Sequence, residues 1–231
     1  QKYSIKVVVE AGGSGAGIKN TINGISDIGM VSRELYPEEI KKLKFTTIAI
    51  DGLAIIVNIE NPINEITRDQ LIEIYTGKVL NWNEYCNYNK EIIVVTKEIG
   101  RSTLELFEHY SGLLHFKRNN DGKNGKIIPS AFEIGSNLEM ATIVGGIPNA
   151  IGYVSIGTAQ KLIKEGMPIK ILTIDKIVPT VENIISGKYP IIRTLNLVYI
   201  KENQDIKNFI NFIFTEESKK IIEEEGFIAY K

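Results

Sequence analysis

Apolar and polar positions change period repeatedly along this chain. Short β-branched runs at 27–31, 46–50, 53–58, 92–96 and 150–154 have the length and composition of buried strands. Further strands are expected at 4–9, at 169–174 and within 189–200. Between these runs the apolar residues take a helical spacing, which predicts helices over 18–25, 37–42, 68–75, 138–144, 158–165, 205–214 and 216–224. Thr67 is placed to cap the helix over 68–75, and Gly77 to end it. In 205–214 the apolar set Ile206, Phe209, Ile210 and Ile213 keeps a helical period and reads as core. Strand and helix alternate throughout, so the fold class is α/β. Asn61-Pro62 interrupts the pattern. The chain is read as leaving one unit there and returning near 190–199, which gives a split lobe (1–58 with 191–231), a continuous lobe (62–190) and a cleft. The Gly/Asn/Lys-rich stretch 111–125 reads as an exposed loop.

Composition narrows the function classes. A chain of 231 residues with 43% hydrophobic content can bury a core in one or two domains. A net charge of −1 provides no global field for nucleic acid or an anionic membrane, so any anion site must be local. The single cysteine, Cys86, excludes an internal disulfide framework and a thiolate metal cluster. His109 and His115 lack helical ligand spacing and read as surface histidines, so neither metal nor cofactor is expected. No apolar run reaches the roughly 18 residues of a membrane span. The sequence starts at Gln1 rather than Met, as removal of a leader, by processing or by design, would leave it.

The chemistry concentrates at 92–110. The run over 92–96 feeds a helix that Ser102 or Thr103 can cap, with Glu105 in its first turn and Leu104 and Phe107 at helical spacing. Lys97, Gly100, Arg101, Ser102 and Thr103 lie between strand and helix. A helix N-terminus exposes unpaired N–H groups at the positive end of its dipole. Two cations and two hydroxyls at that point favour a tetrahedral oxyanion such as phosphate. A capped surface helix with two solvated cations fits the same residues.

Two further features bear on a ligand. The glycine-rich turn at 11–17 precedes a helix, but Gly17 is followed by Ile18-Lys19-Asn20, which is not a nucleotide P-loop. The extra glycine of a dinucleotide fingerprint would fall at Ile18 and is absent. Both nucleotide readings are rejected, leaving a tight turn packed on a strand. Asp51 stands between two strongly apolar stretches, either as a turn residue before Gly52 or as a carboxylate placed at a strand end. The lone Trp82 reads as packing.

Several segments together resemble the periplasmic or lipoprotein phosphate-binding subunits of bacterial ABC importers. They are Gly-Gly-Ser-Gly-Ala-Gly-Ile-Lys at 12–19, Asp27-Ile28-Gly29 with Ser32-Arg33, Ile50-Asp51-Gly52, and Ile74-Tyr75-Thr76-Gly77-Lys78 with Asn81-Trp82. Asn149-Ala150-Ile151-Gly152-Tyr153-Val154 and the terminal Glu225-Gly226-Phe227 complete the set. Each is weak alone, but they occur in the family's order over nearly the whole chain.

The resemblance implies a two-lobe periplasmic-binding-protein fold of type II, with two crossing segments and lobes that close over one dehydrated oxyanion. It implies that Ser32 donates from its hydroxyl and backbone, and that Asp51 accepts from a protonated phosphate oxygen. Lys97, Arg101, Ser102 and Thr103 would come from the opposite lobe. Ser14 would be a more distant contact, with Gly15, Arg33 and Gly100 flanking the site. It further implies an extracytoplasmic or lipid-anchored monomer that serves a membrane permease, with no cofactor and no nucleic-acid partner. The role of Asp51 also has its own physical ground. A buried carboxylate beside an anion is repelled unless a proton lies between them, and phosphate carries such a proton where sulfate does not.

The chain departs from the family pattern in two places. The family usually has Arg at the position of Lys97, then Gly-Ser-Gly-Thr where this chain has Gly100-Arg101-Ser102-Thr103. Lys97 is a point charge and cannot fork, so Arg101 either supplies the fork from a helical turn later or points to solvent. The family also begins with a strand, a Ser/Thr-containing turn and a helix that add ligand contacts. This sequence begins at what reads as the second strand, so its first lobe is expected to lack a strand and some hydroxyl donors. Three other functions are weighed against phosphate delivery. A binder of sulfate, molybdate or tungstate is opposed by Asp51. A sensor or surface protein that keeps the fold is compatible with both departures. A phosphoryl-processing enzyme lacks a nucleophile–base pair and a metal cluster.

Overall fold

A computed structural model describes residues 6–10, 12–225 and 227–230. The elements run α1 (Ser14–Ile22), β1 (Gly29–Val31), α2 (Pro37–Ile40), β2 (Lys44–Asn58), β3 (Glu65–Ile66), α3 (Arg68–Thr76), β4 (Ile93–Lys97) and α4 (Ser102–Ser111). They continue with β5 (Phe132–Ile134), α5 (Asn137–Gly146), β6 (Ala150–Ser155), α6 (Ile156–Lys164), β7 (Ile169–Ile171) and β8 (Thr173–Ile174). The last are α7 (Val181–Ile185), β9 (Ile192–Tyr199), α8 (Gln204–Ile213), α9 (Glu216–Glu224) and β10 (Ile228–Ala229). Two compact units result: Gln1–Ile50 with Arg193–Lys231, and Asp51–Ile192. The chain passes from the first to the second within β2 and returns within β9.

In the first unit β1 pairs antiparallel with β9, Met30 opposite Leu197. Strand β10 pairs with the first half of β2, Ile228 opposite Ile50. Ile18 of α1 packs with Val31, Leu43 and Val198.

In the second unit the strand order is β7, β2, β6, β4, β5. Strand β2 runs antiparallel to β6 and β7, whereas β4 is parallel to both β6 and β5. All six residues of β6 are buried, as expected for a strand covered on both faces. Helices α4, α5 and α6 pack against β6. Tyr75, Phe107 and Tyr153 form an aromatic centre, with Phe107 and Tyr153 stacked at 4.3 Å. Trp82 is fully buried, its indole N–H donating to the Asn149 carbonyl at 2.9 Å. It is packing, as the sequence implied.

Several local expectations are corrected. The runs at 46–50 and 53–58 belong to one continuous strand, β2, with Asp51-Gly52 inside it. Asp51 is therefore not a turn residue. The pairing of Ile50 with β10 and of Leu53 with β6 keeps the chain extended through it. Gly52 is small because the Ile156 side chain occupies its place, Cδ1 lying 2.5 Å from where a Cβ would stand. Helix α1 begins at Ser14, so most of the glycine turn is helix. Residues 6–10 form no strand, while the expected strand residues 4–5, Ala11 and Gly226 lie outside the described residues. Helix α4 is preceded by Arg101, so neither Ser102 nor Thr103 is its N-cap.

The stretch 111–125 is not simply an exposed loop, since Ser111, Leu113 and His115 are fully buried. The Glu108 carboxylate organises it, accepting from the His115 backbone at 2.8 Å and from two nitrogens of Arg118 at 2.7 Å each. His115 is thus an interior side chain rather than a surface one. Its Nε2 stands 3.2 Å from Glu133 without hydrogen-bond alignment, and burial lowers its pKa against the pull of Glu133. His109 is exposed.

Candidate functional site

The parallel strands β5, β4 and β6 all end toward one edge of the second unit, and each leads directly into a helix. That edge gathers the N-termini of α5, α4 and α6, the usual place for ligands in an open α/β sheet. The three N-termini differ. Helix α5 covers its own: Ser136 Oγ accepts from Glu139 N at 3.1 Å, and the Glu139 carboxylate accepts from Gly135 N and Ser136 N at 2.9 and 2.8 Å. Among the described residues, α4 and α6 make no side-chain cap at Arg101 or Ser155. Their first-turn N–H groups keep the positive end of the helix dipole uncovered by a cap.

Lys97 is the last residue of β4 and is 1% exposed. Its Nζ has no hydrogen-bond partner among the described residues. Burial pushes its pKa down to about 8, with Arg101 acting in the same direction and Glu139 opposing. A buried ammonium without a partner is costly, and such groups mark places where a ligand completes the pairing. Below that edge Lys97 is held firmly. Its backbone N–H donates to Tyr153 Oη at 3.2 Å, and that hydroxyl also pairs with Thr96 Oγ1 at 2.9 Å. Tyr153→Phe leaves both buried groups short of a partner and is expected to cost about 1–3 kcal/mol of stability. Urea denaturation measures it, and an unchanged midpoint would show that the hydroxyl is dispensable.

Asp51 is 2% exposed. Its Oδ1 accepts from Ser155 Oγ at 2.8 Å. The sequence reading passed over Ser155, ending the strand at 154 and starting the helix at 158. The one available signal was a serine at the strand-to-helix junction, a cap position.

Ser102 and Thr103 open α4 beside Lys97, Thr103 being 7% exposed. Gly100 has φ 92°, in the left-handed region, so it makes the turn that aims α4 at the strand end. Arg101 is about half exposed and donates to the Glu98 carboxylate at 3.1 Å. Its guanidinium lies on the surface with Glu98, and the buried cation is Lys97. Arg101→Ala is accordingly expected to change anion affinity by less than about fivefold, the scale of an exposed pair. Titration checks this, and a loss as large as that of a Lys97 variant would return the role to Arg101.

In the first unit Ser14 starts α1, and its Oγ accepts from Ser32 N at 3.0 Å. That bond engages the Ser32 backbone N–H within the first unit. Gly15 is exposed in the first turn of α1. Arg33 forks onto Glu39 through two bonds of 2.9 Å and lies 4.2 Å over the Tyr36 ring. Its guanidinium lowers the Glu39 pKa, mainly through those bonds. Arg33 thus secures the β1–α2 connection. Among the described residues no group of three His, Cys, Asp or Glu is placed to hold a metal, and no helix is long and apolar enough to cross a membrane.

Known proteins resemble this chain over nearly its whole length. The family model of the PBP superfamily domain matches residues 1–217. The phosphate-binding protein PstS of Borreliella burgdorferi is 31% identical over 229 residues, which is 98% of this chain and 80% of the relative. An ABC-type phosphate transport receptor from Vibrio cholerae superposes with a TM-score of 0.83 at 34% identity, covering 98% of this chain and 89% of that one. A putative phosphate ABC transporter substrate-binding protein from Clostridium perfringens, solved with bound phosphate, gives a TM-score of 0.77 at 32% identity, with 95% and 85% covered. The chain has the two-lobe periplasmic-binding-protein fold and belongs to the family of phosphate-binding subunits of bacterial phosphate ABC importers.

Proposed function

We propose that this chain captures inorganic phosphate and delivers it to the membrane permease of an ABC importer. The observation that carries the proposal is Lys97, a buried cation without a hydrogen-bond partner among the described residues, at the uncapped N-terminus of α4. In this reading Lys97 supplies the charge, Ser102 and Thr103 donate from hydroxyls and first-turn N–H groups, and Asp51 accepts the proton of hydrogen phosphate. Ser32 contributes its hydroxyl and Ser14 holds Ser32. Gly100 shapes the turn, Gly15 and Arg33 flank the site, and Arg101 adds field from the surface. The protein acts as a monomer on the outer side of the cytoplasmic membrane and catalyses no reaction. The identity with phosphate transport receptors supports this reading. Asp51 favours phosphate over a fully ionised oxyanion, because only phosphate brings the proton that a buried carboxylate needs.

Calorimetric titration tests the proposal. Phosphate is expected to bind tightly, and excess sulfate to leave that binding undisturbed. No heat with either anion would favour a family member that has lost binding, and equal affinity for both would remove Asp51 from the site.

A further inference from the structure

Ser155 occupies a position whose usual work it does not do. It is the residue before α6, at φ −58° and ψ 139°, where a serine normally accepts from the first turn of the helix. Its side chain makes no such cap among the described residues. Its hydroxyl reaches Asp51 instead, at 2.8 Å, from a site only 4% exposed. An ionised carboxylate has lone pairs and no proton, so the serine is the donor. The helix therefore forgoes a capping bond while a carboxylate on the neighbouring strand gains one. The Ser155 hydroxyl is thus committed to a buried carboxylate rather than to the helix it precedes.

We propose that Ser155 is a positioning residue for anion selection, one that holds Asp51 as a pure acceptor facing the ligand. The inference rests on the phosphate reading above. The bond places a donor on Oδ1 and helps fix the carboxylate plane, and a carboxylate meets a ligand only as a proton acceptor. A ligand with a proton on oxygen satisfies that arrangement, and a fully ionised oxyanion does not. Without the Ser155 hydroxyl the carboxylate loses the donor on Oδ1 that helps fix its plane. It then both grips the phosphate proton less well and repels sulfate less consistently. The Ser155 side chain caps nothing in α6 among the described residues, so the helix itself loses little.

The test is competitive titration of phosphate and sulfate on four proteins: wild type, Ser155→Ala, Asp51→Asn and the double variant. Ser155→Ala is expected to narrow the phosphate-to-sulfate affinity ratio about tenfold, the scale of one hydrogen bond to a charged group. Ser155→Thr retains the hydroxyl and is expected to keep the ratio near wild type. In the Asp51→Asn background, adding Ser155→Ala is expected to change the ratio little, because the group it positions is already gone. A ratio unchanged in Ser155→Ala, or effects of the two substitutions that simply multiply, would overturn the inference while leaving phosphate binding intact. A wild-type chain that binds no phosphate would overturn the functional reading and this inference with it.

Discussion

Replacing Lys97 with methionine is expected to lower phosphate affinity by at least about 100-fold while making the unliganded protein more stable. The two effects share one cause. The Lys97 ammonium is buried with no hydrogen-bond partner among the described residues, so the empty site carries its desolvation cost. Removing one side of a buried charge pairing typically costs about 2–5 kcal/mol of binding. A pKa near 8 instead of the ordinary 10.5 corresponds to about 3 kcal/mol against the charged form. Below about pH 8 that penalty is fully present, because folded and unfolded chains both hold the proton. Between about 8 and 10.5 the unfolded chain binds more protons than the folded one, so wild-type stability rises with pH over that window. The Lys97→Met advantage should therefore be largest at neutral pH and shrink toward pH 10.5. Urea midpoints at several pH values measure it. A variant less stable than wild type at pH 7 would mean that Lys97 is already well paired in the folded protein.

Ligand binding shows the same titration from the other side. Phosphate favours the ammonium, so affinity is expected to hold below about pH 8 and to fall as pH rises through it. Lys97→Arg, whose guanidinium stays charged, should extend binding to higher pH.

The second large effect is expected at Asp51. Asp51→Asn replaces an acceptor-only group with one that can also donate, so sulfate gains a partner where it had met repulsion. Phosphate loses the strong acceptor for its proton. The affinity ratio between phosphate and sulfate should fall by about 30-fold or more, on the scale of a charged hydrogen bond. Titration of each anion against the variant measures it. An unchanged ratio would show that the Asp51 carboxylate does not meet the ligand.

Both predictions turn on burial that the sequence indicates only in part. The sequence names Lys97 because it lies between a strand and a helix N-terminus, and Asp51 because it stands between two strongly apolar stretches. It leaves open whether Lys97 or Arg101 carries the charge, since both lie near the start of one helix. Pairing places the two differently. Lys97 is the last rung of β4, opposite Ile134 of β5, so it is drawn into the sheet, while Arg101 falls beyond the strand on the surface.

Helix ends are legible where the signal is local. Thr67 caps α3 with Gln70, and Gly77 closes it in the left-handed conformation, as read. The union of two runs into β2 is not legible, because Asp51-Gly52 has local turn chemistry that pairing with β10 and β6 overrides. Ser155 is illegible for a plainer reason. Its partner lies 104 residues away in the chain, and nothing around Ser155 distinguishes it from an ordinary cap. The burial of His115 likewise depends on Glu108 and Arg118, which meet only once the chain folds back after α4.

The most direct test of the account is a crystal structure of the chain grown with phosphate. Phosphate oxygens are expected within about 3 Å of Lys97 Nζ and of an Asp51 carboxylate oxygen, with the Ser102 or Thr103 donors on the same anion. Phosphate bound elsewhere, with Lys97 Nζ still lacking a partner, would contradict it.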